Sequence, residues 1–120
     1  MFFERHIVNG VLVGRWYHMD DGRVVYLAQR TPRSAHRRRA AWGFELALLK
    51  MCLDKKVSAI GVAVSRKKPV FYLTRVEDFF GDHSFWEWGD RGRVRFLPMG
   101  RWRVSPHRKT GKIEQEVRLR

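Results

Sequence analysis

A chain of 120 residues, 44% of them hydrophobic, is long enough to bury a core as one domain and too apolar to be disordered throughout. Its formal net charge of +13 points to polyanionic partners, and 18 of its 25 basic residues are arginine, whose planar fork grips phosphate with two hydrogen bonds and stacks on bases. A single cysteine, Cys52, excludes an internal disulfide, and the apolar runs fall short of the ~20 residues of a membrane span. Met1 to His6 lack the basic-then-apolar order of a secretory signal, so a cytoplasmic location without membrane contact is expected.

Residues 7–30 read as a β-hairpin. Ile7, Val8, Val11, Leu12, Val13, Trp16 and Tyr17 fill its first arm, Val24 to Ala28 its second, and Met19-Asp20-Asp21-Gly22 supplies the tight turn. Asn9-Gly10 is a second turn signal that splits off a strand over roughly residues 2–8. Both arms are apolar on both faces, which requires cover on each side of the sheet. Thr31-Pro32 ends the second arm. The basic run Arg33 to Arg39 then reads as an exposed loop or a first helical turn capped by Ser34. Arginines after a cap oppose the helix dipole, so they either sit in a loop or meet a phosphate. Gly43 marks a break, and the main helix is expected at about 43–56, strongly buried, with Phe44, Leu48, Met51 and Cys52 on one side.

Val57–Val64 and Val70–Thr74 form a second hairpin with Arg66, Lys67 and Lys68 at its tip. Thr74-x-x-Glu77 has the form of a capping box opening a short helix at about 75–80, which stops at Gly81. Residues 82–92 are aromatic and turn-rich, with a short strand at Phe85–Trp88. Over residues 91–105, Arg93 and Arg95 alternate with Val94 and Phe96, and Arg101 and Arg103 with Trp102 and Val104. Alternation of this kind predicts a hairpin with an apolar inner face and an arginine outer face. If the two arginine groups lie on one side, they make a two-part phosphate clamp. Residues 106–120 read as a flexible basic arm beyond a single α+β domain of residues 1–105. The expected architecture is an antiparallel sheet of hairpins packed on the one main helix, with the short second helix beside it.

The histidines at 6, 18, 36, 83 and 107 and the lone cysteine match no zinc spacing, and no Gly-rich phosphate loop is present. A nuclease using Mg²⁺ would bring Glu77, Asp78, Asp82 and His83 together, with Glu45 as a distant partner. The plainer reading makes them cap, first-turn and turn residues, which explains each at its own position. A metal-free phosphodiesterase would use His36, whose charged form is disfavoured by the arginines around it, as its base. No metal or cofactor is expected otherwise. Trp42, Trp86 and Trp88 are candidate stacking platforms for bases, while Trp16 and Trp102 are assigned to the core. The expected function is binding of DNA or RNA, with little base readout. Its contacts would come from Arg33, Arg37, Arg38, Arg39, Trp42, Arg66, Lys67, Lys68, Arg93, Arg95, Arg101 and Arg103. The alternatives are the nuclease, a homo-oligomeric interaction module, and an inhibitor of an acidic host protein.

Overall fold

A computed structural model describes residues 2–29, 31–36, 39–63 and 71–105, with the backbone alone at 35, 36, 39, 63, 104 and 105. In chain order the elements are β1 (Phe2–Val8), β2 (Val11–His18), β3 (Val24–Ala28), β4 (Arg33–His36), β5 (Arg39–Glu45), α1 (Leu46–Asp54), β6 (Ala59–Ala63), β7 (Phe71–Thr74), a 3-10 turn (Val76–Phe80), β8 (Phe85–Gly89), β9 (Gly92–Pro98), a second 3-10 turn (Met99–Arg101) and β10 (Arg103–Ser105). The strands make two sheets, ordered β1-β2-β3-β6-β7-β10 and β4-β5-β9-β8. The fold is mixed α+β.

The turn chemistry accounts for much of the first sheet. Asn9-Gly10 joins β1 to β2 and Met19–Gly22 joins β2 to β3, giving an antiparallel meander. β6 and β7 pair antiparallel as the second hairpin, and its tip, with Arg66, Lys67 and Lys68, lies outside the described residues. β3 and β6 run parallel, which makes this sheet mixed rather than purely antiparallel. A parallel neighbour needs a crossover, and β4, β5 and α1 form it.

The described part of the basic run, Arg33–His36 and Arg39, is strand rather than loop or helical turn. β4 and β5 pair antiparallel, Arg33 opposite Trp42 and Ser34 opposite Ala41. Period two decides the matter: Trp42 and Phe44 point to the core and Ala41 and Gly43 to the other face, an arrangement helical spacing cannot give. Gly43 is therefore a strand residue and not a break. A Cβ there would come within 2.6 Å of the Phe96 ring, which packs across it. α1 begins only at Leu46 and is less enclosed than its composition suggests: Leu49 and Cys52 are buried, while Met51 and Leu53 are exposed. The expected capping box does not form, because Thr74 donates its hydroxyl to Asp78 (2.9 Å) while Glu77 pairs with Arg75 (3.5 Å).

Residues 91–105 do not close a hairpin either. β9 pairs with β5 and β8 in the second sheet, and β10 with β7 in the first. The turn at Met99–Arg101 carries the chain from one sheet to the other, and Trp102 anchors the crossing by donating its indole N–H to the Leu97 carbonyl (3.1 Å).

Both sheets and α1 close on one core. It holds Trp16, Tyr26, Ile60 and Val62 from the first sheet, Trp42, Phe44 and Leu97 from the second, Leu49 and Cys52 from α1, and Val76, Phe79 and Trp102 from the connections. Each such apolar side chain contributes roughly 1.5–3 kcal/mol by leaving water. Burial pushes the Cys52 thiol up to about 12, so it packs as an unreactive apolar group. The opposite face of the first sheet carries a second buried cluster, including Val25, Leu27, Ala59, Phe71 and Leu73, so both faces of β3 are apolar as its sequence requires.

Gly14 tests the packing of the first sheet. A Cβ there would overlap the Tyr26 hydroxyl, whereas one at Gly100 meets nothing within 4 Å. Gly14→Ala is expected to lower stability by roughly 1–3 kcal/mol and Gly100→Ala to leave it nearly unchanged in denaturant melts; equal stability of the two variants would contradict this packing.

Candidate nucleic-acid interface

Trp86 stands opposite Arg95 and Trp88 opposite Arg93 in the β8–β9 pair, so these four residues share one face of the second sheet. At the sheet edge the tryptophans are not covered: Trp88 is 71% exposed and Trp86 45%, where Trp42 is 8%. The Arg93 guanidinium carbon sits 4.8 Å from the centroid of the Trp86 ring and 5.6 Å from that of Trp88. The two rings are nearly perpendicular, 5.9 Å apart at 88°. Cation–π attraction of about 0.5–1 kcal/mol at an exposed site holds the arginine without consuming its N–H groups. The result is a guanidinium fork packed against a pair of exposed indoles, which suits a phosphate beside an unpaired base.

The other arginines serve different ends. Arg95 lies on the same face but nearer the core, where its Nε donates to the Phe79 carbonyl (3.0 Å) and its Nη2 to Ser84 Oγ (2.6 Å). It ties the first 3-10 turn to β9 and is a structural residue. Arg101 stands 3.1 Å from His83 Nδ1, and Arg103 extends the first sheet opposite Leu73. Arg33 is exposed on β4, the opposite edge of the second sheet from Trp86 and Trp88. By register Arg33 shares the face of Arg93 and Arg95, with Trp42 and Leu97 between them across the sheet. Arg37 and Arg38 lie outside the described residues, as do the side chains of Arg39 and His36. Trp42 is in the core, 4.7 Å from Tyr72 and 5.6 Å from Trp102, and offers no stacking face to solvent.

Beside this platform the β8–β9 turn meets a cleft of about 620 Å³ between the end of the β1–β2 hairpin, β5 and α1. Its walls are apolar, among them Val8, Leu12, Ala28, Phe44 and Leu48, and Arg91 pairs with Glu45 across it (3.4 Å). At its floor His6 Nδ1 lies 2.9 Å from the Tyr26 hydroxyl. Burial raises the Tyr26 phenol far above its ordinary range, so it stays protonated beside His6. Burial also holds His6 below its usual value; Glu45 pulls it back up and Arg91 adds to the lowering. Burial thus favours the neutral imidazole at His6. Gly14 lies between His6 and Ala28 in the register, and its missing side chain is what lets Tyr26 reach across to β1. No local pattern in the sequence marks this group beyond that glycine in a strand.

The acidic candidates divide. Glu77, Asp78 and His83 line a small cavity of about 260 Å³ with Arg101, Asp82 is exposed outside it, and Glu45 belongs to the cleft just described. Among the described residues no three His, Cys, Asp or Glu side chains are placed to hold a metal ion. No helix among them is long and apolar enough to cross a membrane.

No family model, no curated protein and no solved structure matches this chain.

The division of labour between neighbouring arginines is measurable. Arg95→Met is expected to cost roughly 1–3 kcal/mol of stability, since it removes two charge-assisted hydrogen bonds from half-buried partners. Arg93→Met should stay within about 0.5 kcal/mol of wild type, as exposed substitutions usually do. Denaturant midpoints in the reverse order would show that Arg95 is not structural.

Proposed function

We propose that the protein binds single-stranded nucleic acid, with at least one base stacked on Trp88 or Trp86 and a neighbouring phosphate held by Arg93. The observation that carries this reading is the Arg93 guanidinium packed against two exposed indoles that also touch each other. Exposed tryptophan is costly in water, and every base presents a π-face that can cover it. A duplex hides those faces, which favours unpaired strands.

Charge supplies the second component. The β8–β9 hairpin alone is only weakly basic, with Arg91, Arg93 and Arg95 against Glu87 and Asp90. Of the thirteen net positive charges of the chain, nine belong to residues outside the described ones, eleven Lys and Arg against two Glu. The stacking residues and most of the net charge therefore lie in different segments of the sequence. The hairpin fixes where a strand is held, and the remaining charge adds affinity that falls steeply with salt, because each neutralised phosphate releases a counterion. Little in this arrangement reads base edges, so weak sequence preference is expected. The same surface serves DNA and RNA.

The test is a fluorescence titration with short single strands and duplexes of DNA and RNA at low and high salt. Single strands should quench tryptophan emission and bind more tightly than duplexes. Trp88→Ala should weaken binding roughly five- to 150-fold, the loss of one stacked base at roughly 1–3 kcal/mol. Wild-type affinity in Trp88→Ala, or preference for duplex, would refute the reading.

A further inference from the structure

β1 is an edge strand of the six-stranded sheet, and among the described residues it pairs only with β2. Such edges are templates for further pairing unless charge, proline or a bulge blunts them. β1 carries no proline and two exposed charges of opposite sign, Glu4 and Arg5, while three of its seven residues are large exposed hydrophobics: Phe2 at 64%, Phe3 at 48% and Ile7 at 55%. The register shift in the β1–β2 pair skips Val13, so the extra residue lies on β2 and leaves β1 regular.

We infer that this edge docks against β1 of a second copy of the chain, antiparallel, about a two-fold axis through Arg5. The strand is self-complementary in that register and in no neighbouring one. Centred on Arg5, Phe2 faces Val8 of the second copy, Phe3 faces Ile7, and Glu4 faces His6, so all seven residues pair. Opposed residues share a face, as an antiparallel ladder requires. Centring on Glu4 instead sets that carboxylate against itself and leaves Ile7 and Val8 unpaired. Centring on His6 sets Arg5 against Ile7 and strands Phe2 and Phe3. The Arg5-centred register covers every exposed apolar side chain of the strand with another apolar one. It also sets Glu4, which pairs with His18 of its own chain, opposite the half-buried His6 of the other copy rather than opposite a second acid.

The register has one unfavourable contact, Arg5 against Arg5, and each copy carries +13. Salt screens both, so the dimer strengthens as salt rises. Nucleic-acid binding weakens with salt, which keeps the two proposals separable.

Sedimentation of the full chain in high salt, without nucleic acid, tests this across a wide concentration range. The mass should rise from 14.3 kDa towards twice that value, and lowering the salt should reverse the rise. Ile7→Lys should weaken association by roughly tenfold or more, because the two-fold axis doubles the lost pair. Should that variant fail to fold by circular dichroism, charge exchange decides: wild type mixed with the Arg5→Glu chain should form a heterodimer roughly two- to tenfold tighter than the wild-type homodimer. A monomer at every concentration, a dimer indifferent to Ile7→Lys, or a mixture no tighter than wild type alone would overturn the inference.

Discussion

The structure depends on a continuous line of aromatic rings that joins its two sheets. His6 meets Trp16 (4.6 Å between centroids), Trp16 meets Tyr26 (5.2 Å), and Tyr26 meets Phe44 (6.4 Å) across the gap between sheets. Phe44, Phe79 and Trp102 then enclose one another, and Trp102 abuts Trp42, which reaches Tyr72 on the first sheet again. Edge-to-face and tilted pairs of this kind contribute about 0.5–1.5 kcal/mol each beyond the area they bury. Because they are directional as well as apolar, they fix how one sheet sits on the other. The crossing of the chain at Met99–Arg101 is tolerable only because Trp102 is held on both sides, by its rings and by the Leu97 carbonyl.

That packing sorts the arginines and tryptophans into different tasks. Trp42 and Trp88 belong to the same face of the same sheet, yet one is sealed under the first sheet and the other stands clear at the far edge. Arg95 and Arg93 are two residues apart on one strand. The inner one has carbonyl and hydroxyl partners within reach and is consumed by them, whereas the outer one, among the described residues, packs on two π-faces. The useful surface is thus the margin where the second sheet outruns its cover.

The hairpins of the first sheet were legible in the sequence because their turns are local: Asn9-Gly10, Asp21-Gly22 and the runs of β-branched residues on either side suffice. β4 and β5 were not, since a dense arginine run masks the short alternation of Trp42 and Phe44 with Ala41 and Gly43. Over residues 91–105 the alternation separates the two faces correctly, with Val94 and Phe96 packed on Ala41 and Phe85. It carries no information on which strand is the neighbour, so two strands of different sheets read as one hairpin. The same gap made Arg95 look like an outward residue: both faces of β9 are partly covered, and the outward or inward sense of an arginine depends on the distant 3-10 turn that supplies its acceptor. Trp86 and Trp88, spaced by two and separated by a glutamate in an aromatic, turn-rich segment, did carry a readable signal. The cleft at His6 and Tyr26 joins residues twenty apart in sequence and was beyond any local pattern.

The most direct measurement of the account is where a bound strand touches the protein. Photo-crosslinking of single strands carrying a reactive pyrimidine at each position in turn, followed by mass mapping of the modified peptide, reads this at residue level. The account predicts crosslinks concentrated in residues 85–93, at Trp86 or Trp88, persisting at salt high enough to remove weaker adducts. Crosslinks confined to other segments, with none in the β8–β9 hairpin, would contradict it.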